Sequence, residues 1–237
     1  MKKLILTFLT IFFTLTSNVV WSADYEKGET AYQDGDYATA LSELKPLANQ
    51  GYDRAQFRLG WIYDMGYGVP EDDKHAVKWY TLAAEQGHDG AQFNLGWMYF
   101  YGEGVSEKMN QRFPIALKWY TLAAEQGHDG AQNNLAYMYA NGLSGTFDYK
   151  TAVKWYTLAA EQGNAKSQYY LGMMYYEGEG VIQDNIYAHM WGDIAASNGN
   201  ENGATLTDIA ARKMTYDDIS AAQKLARECL AKNYKGC

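Results

Sequence analysis

The ten-residue string Lys-Trp-Tyr-Thr-Leu-Ala-Ala-Glu-Gln-Gly occurs three times, at 78–87, 118–127 and 154–163. Each copy is followed by a related segment. These read His88-Asp-Gly-Ala-Gln-Phe-Asn-Leu-Gly, His128-Asp-Gly-Ala-Gln-Asn-Asn-Leu-Ala and Asn164-Ala-Lys-Ser-Gln-Tyr-Tyr-Leu-Gly. An earlier copy begins at Tyr52, so units start at 52, 88, 128, 164 and 200, with periods of 36, 40, 36 and 36. The longer unit carries an insertion near Ser106 to Pro114. A short unit repeated at this period cannot bury its own apolar faces. It must stack on its neighbours, which restricts the chain to a solenoid.

Each unit reads as two helices. The first is predicted to begin at Asp53, Asp89 or Asp129, each three residues before a glutamine (Gln56, Gln92, Gln132), the spacing of a capping box. Ala165 replaces the aspartate in the fourth unit, which predicts a weaker start there. Glycines at 66 and 68, 102 and 104, 142, and 178 and 180 end the first helix. The second helix is predicted from about Asp73 to Gln86, stopped by Gly87 and its counterparts Gly127 and Gly163. Small residues recur where helices must cross closely: Gly60, Gly96, Ala136 and Gly172 on the first, Ala76, Ala116, Ala152 and Ala188 on the second. Large residues such as Leu59, Tyr63 and Trp79 fill the remaining space.

The signature Ala-Gln-x-x-Leu-Gly-x-Met-Tyr, then Gly-x-Gly-Val, then Ala-x-x-Trp-Tyr-x-x-Ala-Ala-Glu-Gln-Gly is complete between Ala91 and Gly127. It resembles the Sel-one-like repeat family, a relative of the tetratricopeptide repeats. The third unit departs from the pattern at Ala136 and at Leu143-Ser144-Gly145. The resemblance implies an all-α solenoid of stacked antiparallel helix pairs and a role as an adaptor or scaffold for protein partners. On this reading residues 24–51 form an N-terminal helix pair, 52–87, 88–127, 128–163 and 164–199 form four repeats, and 200–237 form capping helices and a tail. Thr215 and Asp218 are placed to cap a last, charge-rich helix through about Lys232.

In tetratricopeptide-like solenoids the first helix of each pair lines the inner face. With Leu59 and Gly60 as anchors, the inward positions are 54, 57, 61, 64 and 65 and their equivalents in later units. Gln56, Leu59 and Tyr63 recur in all four units, whereas the inward set varies most between them. It is rich in aromatics: Phe57, Trp61, Phe93, Trp97, Phe100, Tyr101, Tyr137, Tyr169 and Tyr176, with Asn133 and Asn141 as polar members. Aromatics on an inner face suit capture of a peptide or protein, because buried Trp and Tyr dominate binding hot spots. Packing between adjacent units is the alternative role for the same rings.

Aromatics make up 15% of the chain, with 21 Tyr against 8 Phe, and tyrosine suits surfaces that are half packed and half exposed. Residues 1–23 read as a secretory signal peptide: Lys2 and Lys3, an uncharged run from Leu4 to Val20, then Ser22 and Ala23. Cleavage after Ser22 or after Ala23 fits. An uncleaved anchor is the alternative, weakened by Thr14, Thr16, Ser17 and Asn18. The expected destination is the periplasm or the exterior, without a stable membrane anchor after cleavage. The formal charge of −8 disfavours nucleic acid and anionic lipid. The two cysteines, Cys229 and Cys237, would form one disulfide in an oxidising compartment, with free thiols or an intermolecular bond as the alternative.

Catalytic and metal signatures are sparse. There is no zinc-protease histidine pair, Cys-x-x-Cys or Gly-x-Ser-x-Gly. His88 and His128 share a repeat position, which argues for a role in the turn, while His75 and His189 are isolated. Ser42-Glu43-Leu44-Lys45 matches the Ser-x-x-Lys of penicillin-recognising enzymes without its partner motifs. The sequence therefore predicts a non-catalytic scaffold that binds a protein or peptide and needs no cofactor or metal. A hydrolase acting on cell-wall or β-lactam substrates, and a glycan-binding module, are the competing readings.

Overall fold

The computed structural model describes residues 23–237, so the expected signal peptide, apart from Ala23, lies outside the described residues. Among these residues the chain forms twelve α-helices and no strand. The first pair is α1 (Tyr25–Gln33) with α2 (Tyr37–Asn49). Then come α3 (Asp53–Met65) with α4 (Asp73–Glu85), and α5 (Asp89–Tyr101) with α6 (Met109–Glu125). The pairs α7 (Asp129–Ala140) with α8 (Tyr149–Ala160) and α9 (Ala165–Glu177) with α10 (Asn185–Ser197) complete the repeats. The chain closes with α11 (Gly203–Ala211) and α12 (Tyr216–Ala231). Each helix from α1 to α10 packs on the next, and α12 folds back onto α10. This is an α-solenoid.

The recurring small residues do what their spacing implies. A Cβ built on Gly60 would lie 2.5 Å from the Tyr80 ring, and one on Gly96 would lie 2.7 Å from the Tyr120 ring. Glycine at these positions lets α4 and α6 lay a tyrosine flat against the neighbouring backbone. Tyr80, Tyr120 and Tyr156 are all buried, as are Leu59, Leu95, Leu135 and Leu171. In the fourth unit Gly192 takes the place of the tyrosine. There Leu206 of α11 fills the space over Gly172, at 2.7 Å from its added Cβ. The substitution lets α11 seat closely and closes the stack.

The helix starts correct the capping expectation. Asp89 and Asp129 are the first helical residues of α5 and α7, and the caps are His88 and His128. Their imidazole Nδ1 atoms accept the backbone N–H of Ala91 and Ala131, each at 3.2 Å. The repetition of these histidines is thus explained by the turn. Asp53 likewise opens α3 behind Tyr52, which makes no side-chain cap. The fourth unit does not start weakly, because Asn164 accepts the Ser167 N–H at 3.0 Å. The expected box at the last helix does form: Thr215 and Asp218 cap one another reciprocally. The glycine stops behave as read at Gly66, Gly102 and Gly178, which are left-handed caps with φ of 66°, 87° and 76°.

The glutamines of the supposed capping boxes serve a different purpose. Gln56, Gln92, Gln132 and Gln168 are buried. Each donates its Nε2 to a carbonyl at the end of the preceding helix: Ala48 at 3.0 Å, then Ala84, Ala124 and Ala160, each at 3.1 Å. Each also accepts through Oε1 from an amide at the end of the next helix. The donors are Gln86 and Gln126 at 2.7 Å, and Gln162 and Asn198 at 2.8 Å. One side chain therefore ties three consecutive helices together at every junction.

The tail extends the same network. The Tyr234 hydroxyl donates to Asn198 Oδ1 at 3.0 Å, and the Gly236 N–H donates to Glu161 at 2.9 Å. Cys229 and Cys237 form a disulfide-capable pair with a Cα–Cα separation of 5.5 Å. Cutting one junction should be costly. Gln92→Leu leaves the Ala84 carbonyl and the Gln126 amide without their partner, and should lower stability by about 2–3 kcal/mol in urea unfolding. Gln86→Ala, at an exposed donor, should cost about 1 kcal/mol or less.

Candidate functional site

The first helices of successive units present residues spaced three and four apart on one face. On α5 these are Trp97, Phe100 and Tyr101, and on α7 they are Asn133, Asn134 and Tyr137. On α9 they are Lys166, Tyr169 and Tyr170. Together with Tyr120 of α6 and with Asn200 and Asn202 of the α10–α11 connection, they enclose a cleft of about 470 Å³. Trp97, Tyr101 and Tyr137 are 41%, 53% and 37% exposed, which is high for large rings. Trp97 and Tyr101 lie with ring centroids 4.3 Å apart, and Phe100 meets Tyr137 edge-on at 6.3 Å.

Six of the eleven residues expected on the inner face meet at this cleft: Trp97, Phe100, Tyr101, Asn133, Tyr137 and Tyr169. The others lie elsewhere. Phe57 and Phe93 stack on the capping imidazoles of His88 and His128, at centroid distances of 4.4 and 4.5 Å, and pack against core clusters. Trp61 is half-buried and does not line the cleft. Asn141 is the C-cap of α7, and its amide donates back to the Tyr137 carbonyl at 2.9 Å. Tyr176 is half-buried beneath Lys213, whose Nζ sits 3.8 Å from the ring centroid.

The polar groups of the cleft form a directed chain. The Ser167 hydroxyl donates to Asn133 Oδ1 at 3.0 Å, and Asn133 Nδ2 donates to Asn134 Oδ1 at 3.1 Å. The Asn134 amide lies beside the Tyr120 hydroxyl and favours its ionised form, but burial dominates and holds the phenol well above its ordinary pKa. Tyr120 therefore remains a proton donor. Its oxygen is buried and makes no hydrogen bond within the described residues. One unit earlier, Tyr80 occupies the matching position and donates to Asp64 at 2.9 Å. The residue matching Asp64 beside Tyr120 is Phe100.

Sequence reasoning counted position 166 as inward without singling out Lys166, and it missed Tyr120, Asn134, Tyr170, Asn200 and Asn202. Tyr120 lies within the invariant repeat string and reads as packing. The change from Asp64 to Phe100 is the one signal that could have singled it out. Asn200 and Asn202 arrive from the turn after the last repeat, so only the folded chain brings them to the cleft.

A stack of helix pairs joined by buried amides, with an aromatic cleft across its first helices, defines a repeat protein of the tetratricopeptide-like class. The Sel1 repeat model matches residues 53–88, 90–128, 130–164 and 165–200, and the chain belongs to the Sel1 repeat family. It is similar to the crystal structure of a Sel1 repeat protein from Oxalobacter formigenes, with 32% identity and a TM-score of 0.74. That match covers 86% of this chain and 85% of the other. A second similar structure is c5321, a protective antigen of uropathogenic Escherichia coli with an SLR fold, at 25% identity and a TM-score of 0.58. It covers 89% of this chain and 54% of that one. Comparison with curated proteins gives no match.

The His88 cap has a pH signature. Burial holds its pKa below the ordinary 6.5. The unfolded chain therefore binds this proton more readily than the folded one, and stability falls as pH drops below about 6.5. The carboxylate caps Asp36, Asp72, Asp148 and Asp218 have lowered pKa values and titrate well below that window. Thermal melting followed between about pH 7 and 5 should decline, and His88→Asn, which installs the cap used at Asn164, should flatten the decline.

Proposed function

We propose that the chain is an exported scaffold that holds a protein or peptide partner in the cleft between α5, α7 and α9. Proteins built of this repeat are generally protein-interaction scaffolds. The observation that carries the assignment to this cleft is the convergence of aromatic rings from three successive units, exposed at Trp97, Tyr101 and Tyr137, beside amide side chains. A surface of this kind supplies large rigid contact area from Trp and Tyr and leaves amides to recognise a peptide backbone. The acidic balance of −8 favours a protein partner over nucleic acid. Among the described residues no helix is long and apolar enough to cross a membrane.

Export rests on the basic start, the apolar run from Leu4 to Val20 and the disulfide-capable pair at the tail. The mature protein isolated from its host should lack the residues through Ser22 or Ala23. Its intact mass should rise by two hydrogens on reduction. A mass that keeps the N-terminal segment, or no change on reduction, would count against export.

The cleft is tested by separating folding from binding. Trp97→Ala and Tyr137→Ala remove exposed rings, so each should change stability by less than about 1 kcal/mol. Capture of cross-linked partners from the host's own extract should fall by roughly 30-fold or more, the effect of about 2 kcal/mol at a hot spot. If melting collapses while capture by the residual folded protein persists, the rings serve packing and the cleft is not the binding face.

A further inference from the structure

Six rings of the cleft form one unbroken row across three helices. Trp97 and Tyr101 of α5 lie 4.3 Å apart between centroids, and Tyr101 meets Phe100 at 5.0 Å. Phe100 meets Tyr137 of α7 at 6.3 Å, and Tyr137 meets Tyr170 of α9 at 6.4 Å. Tyr170 then meets Tyr169 at 5.3 Å. The row passes from α5 to α7 to α9, so it follows the stack rather than any one helix. Its rings at Trp97, Tyr101 and Tyr137 are open to solvent.

The amides beside this row already use their oxygens within the chain. Asn133 Oδ1 accepts from the Ser167 hydroxyl at 3.0 Å, and Asn134 Oδ1 accepts from Asn133 Nδ2 at 3.1 Å. Asn200 Oδ1 accepts from the Asn202 N–H at 3.0 Å. Lys166 is the one charged residue of the lining, and an ammonium can only donate. Apart from the phenols, which act either way, the polar lining therefore offers donors more readily than acceptors. An ordinary extended peptide alternates N–H and C=O along its backbone, and among the described residues no strand edge exists to pair with both. A sugar brings hydroxyl donors, for which these amides have little acceptor capacity left.

Proline meets both conditions. It has a carbonyl and no N–H, and its ring is an apolar plate of a size to pack on Trp and Tyr faces. Proline-rich segments adopt polyproline II, which has no internal hydrogen bonds and leaves every carbonyl free, and their stiffness lowers the ordering cost of binding. We propose that the cleft takes an uncharged, proline-rich segment in the polyproline II conformation, its prolines on the ring row and its carbonyls bound by the amide N–H groups and Lys166. This rests on the peptide-binding reading of the cleft and adds the class of peptide. Asn202 is the amide freest to serve: it is exposed at the start of α11, and its side chain caps nothing there.

Two pools of N-acetylated, C-amidated peptides, each roughly nine residues long, passed over the immobilised mature chain test this. One pool carries proline at every third position, which places the prolines along one edge of a three-residue turn, and uncharged residues elsewhere. The other has alanine in place of each proline. Mass spectrometry of the retained peptides should show the proline pool enriched about tenfold or more over the alanine pool. Tyr137→Ala should reduce retention of the proline pool about tenfold. Asn202→Ala, an exposed change that leaves the ring row and the melting temperature intact, should reduce it about threefold. Equal retention of the two pools, both lost in Tyr137→Ala, would overturn the proline-rich occupant and leave a peptide groove. Retention of the proline pool untouched by both variants would place its binding outside the cleft and overturn the inference. Retention of neither pool would also overturn it, and capture from the host's own extract then decides the peptide reading separately.

Discussion

The buried glutamine at each junction is the constraint on which the stack depends. Helix packing by Leu, Ala and Tyr is attractive but tolerant of sliding, because apolar contact has little direction. An amide side chain does have direction. Gln92 must find the Ala84 carbonyl behind it and the Gln126 amide ahead of it, at 3.1 and 2.7 Å. Leaving either group dry and unpaired would cost more than the bond itself contributes. The same geometry repeats at Gln56, Gln132 and Gln168, so the offset between neighbouring helices is reset at every unit. At the last junction Asn198 replaces glutamine and Tyr234 of the tail completes it.

That fixed offset is what makes the cleft possible. Because each unit is placed alike, residues at matching positions of α5, α7 and α9 arrive side by side. The stack is then free to vary them, since Gln, Leu and the small crossing residues carry the packing. Variation appears as the open rings of Trp97, Tyr101 and Tyr137, and as the loss of the acceptor opposite Tyr120. Where rings are needed by the frame they are not free: Phe57 and Phe93 lie on the capping imidazoles of the next unit.

How much could be read from sequence differs with the kind of signal. Helix pairs, glycine stops and glycine–tyrosine crossings follow from periodicity, because each is a local or nearest-neighbour requirement. The glutamine role was misassigned for a physical reason. An amide three residues after Asp fits a capping box, and only the position of the preceding helix shows that a carbonyl of that helix is its partner. The histidine cap was missed as a cap because imidazole is an uncommon cap acceptor, although its repetition had already located it in the turn. Asn141 and Tyr176 sat at inward positions by count. The end of α7 turns Asn141 back on its own helix, and Lys213 from beyond the repeats covers Tyr176.

The sequence by itself determined the repeat, its two-helix content, the residues that recur for packing and the set of positions free to vary. These are properties of period and residue size, which survive without coordinates. The tertiary structure alone decided which variable residues share a cleft, that Asn200 and Asn202 close it from outside the repeats, and that Tyr120 is left a donor without an acceptor. Those outcomes depend on distances between residues far apart in the chain, and on whether a particular hydroxyl meets an Asp64 or a Phe100 when the helices come together.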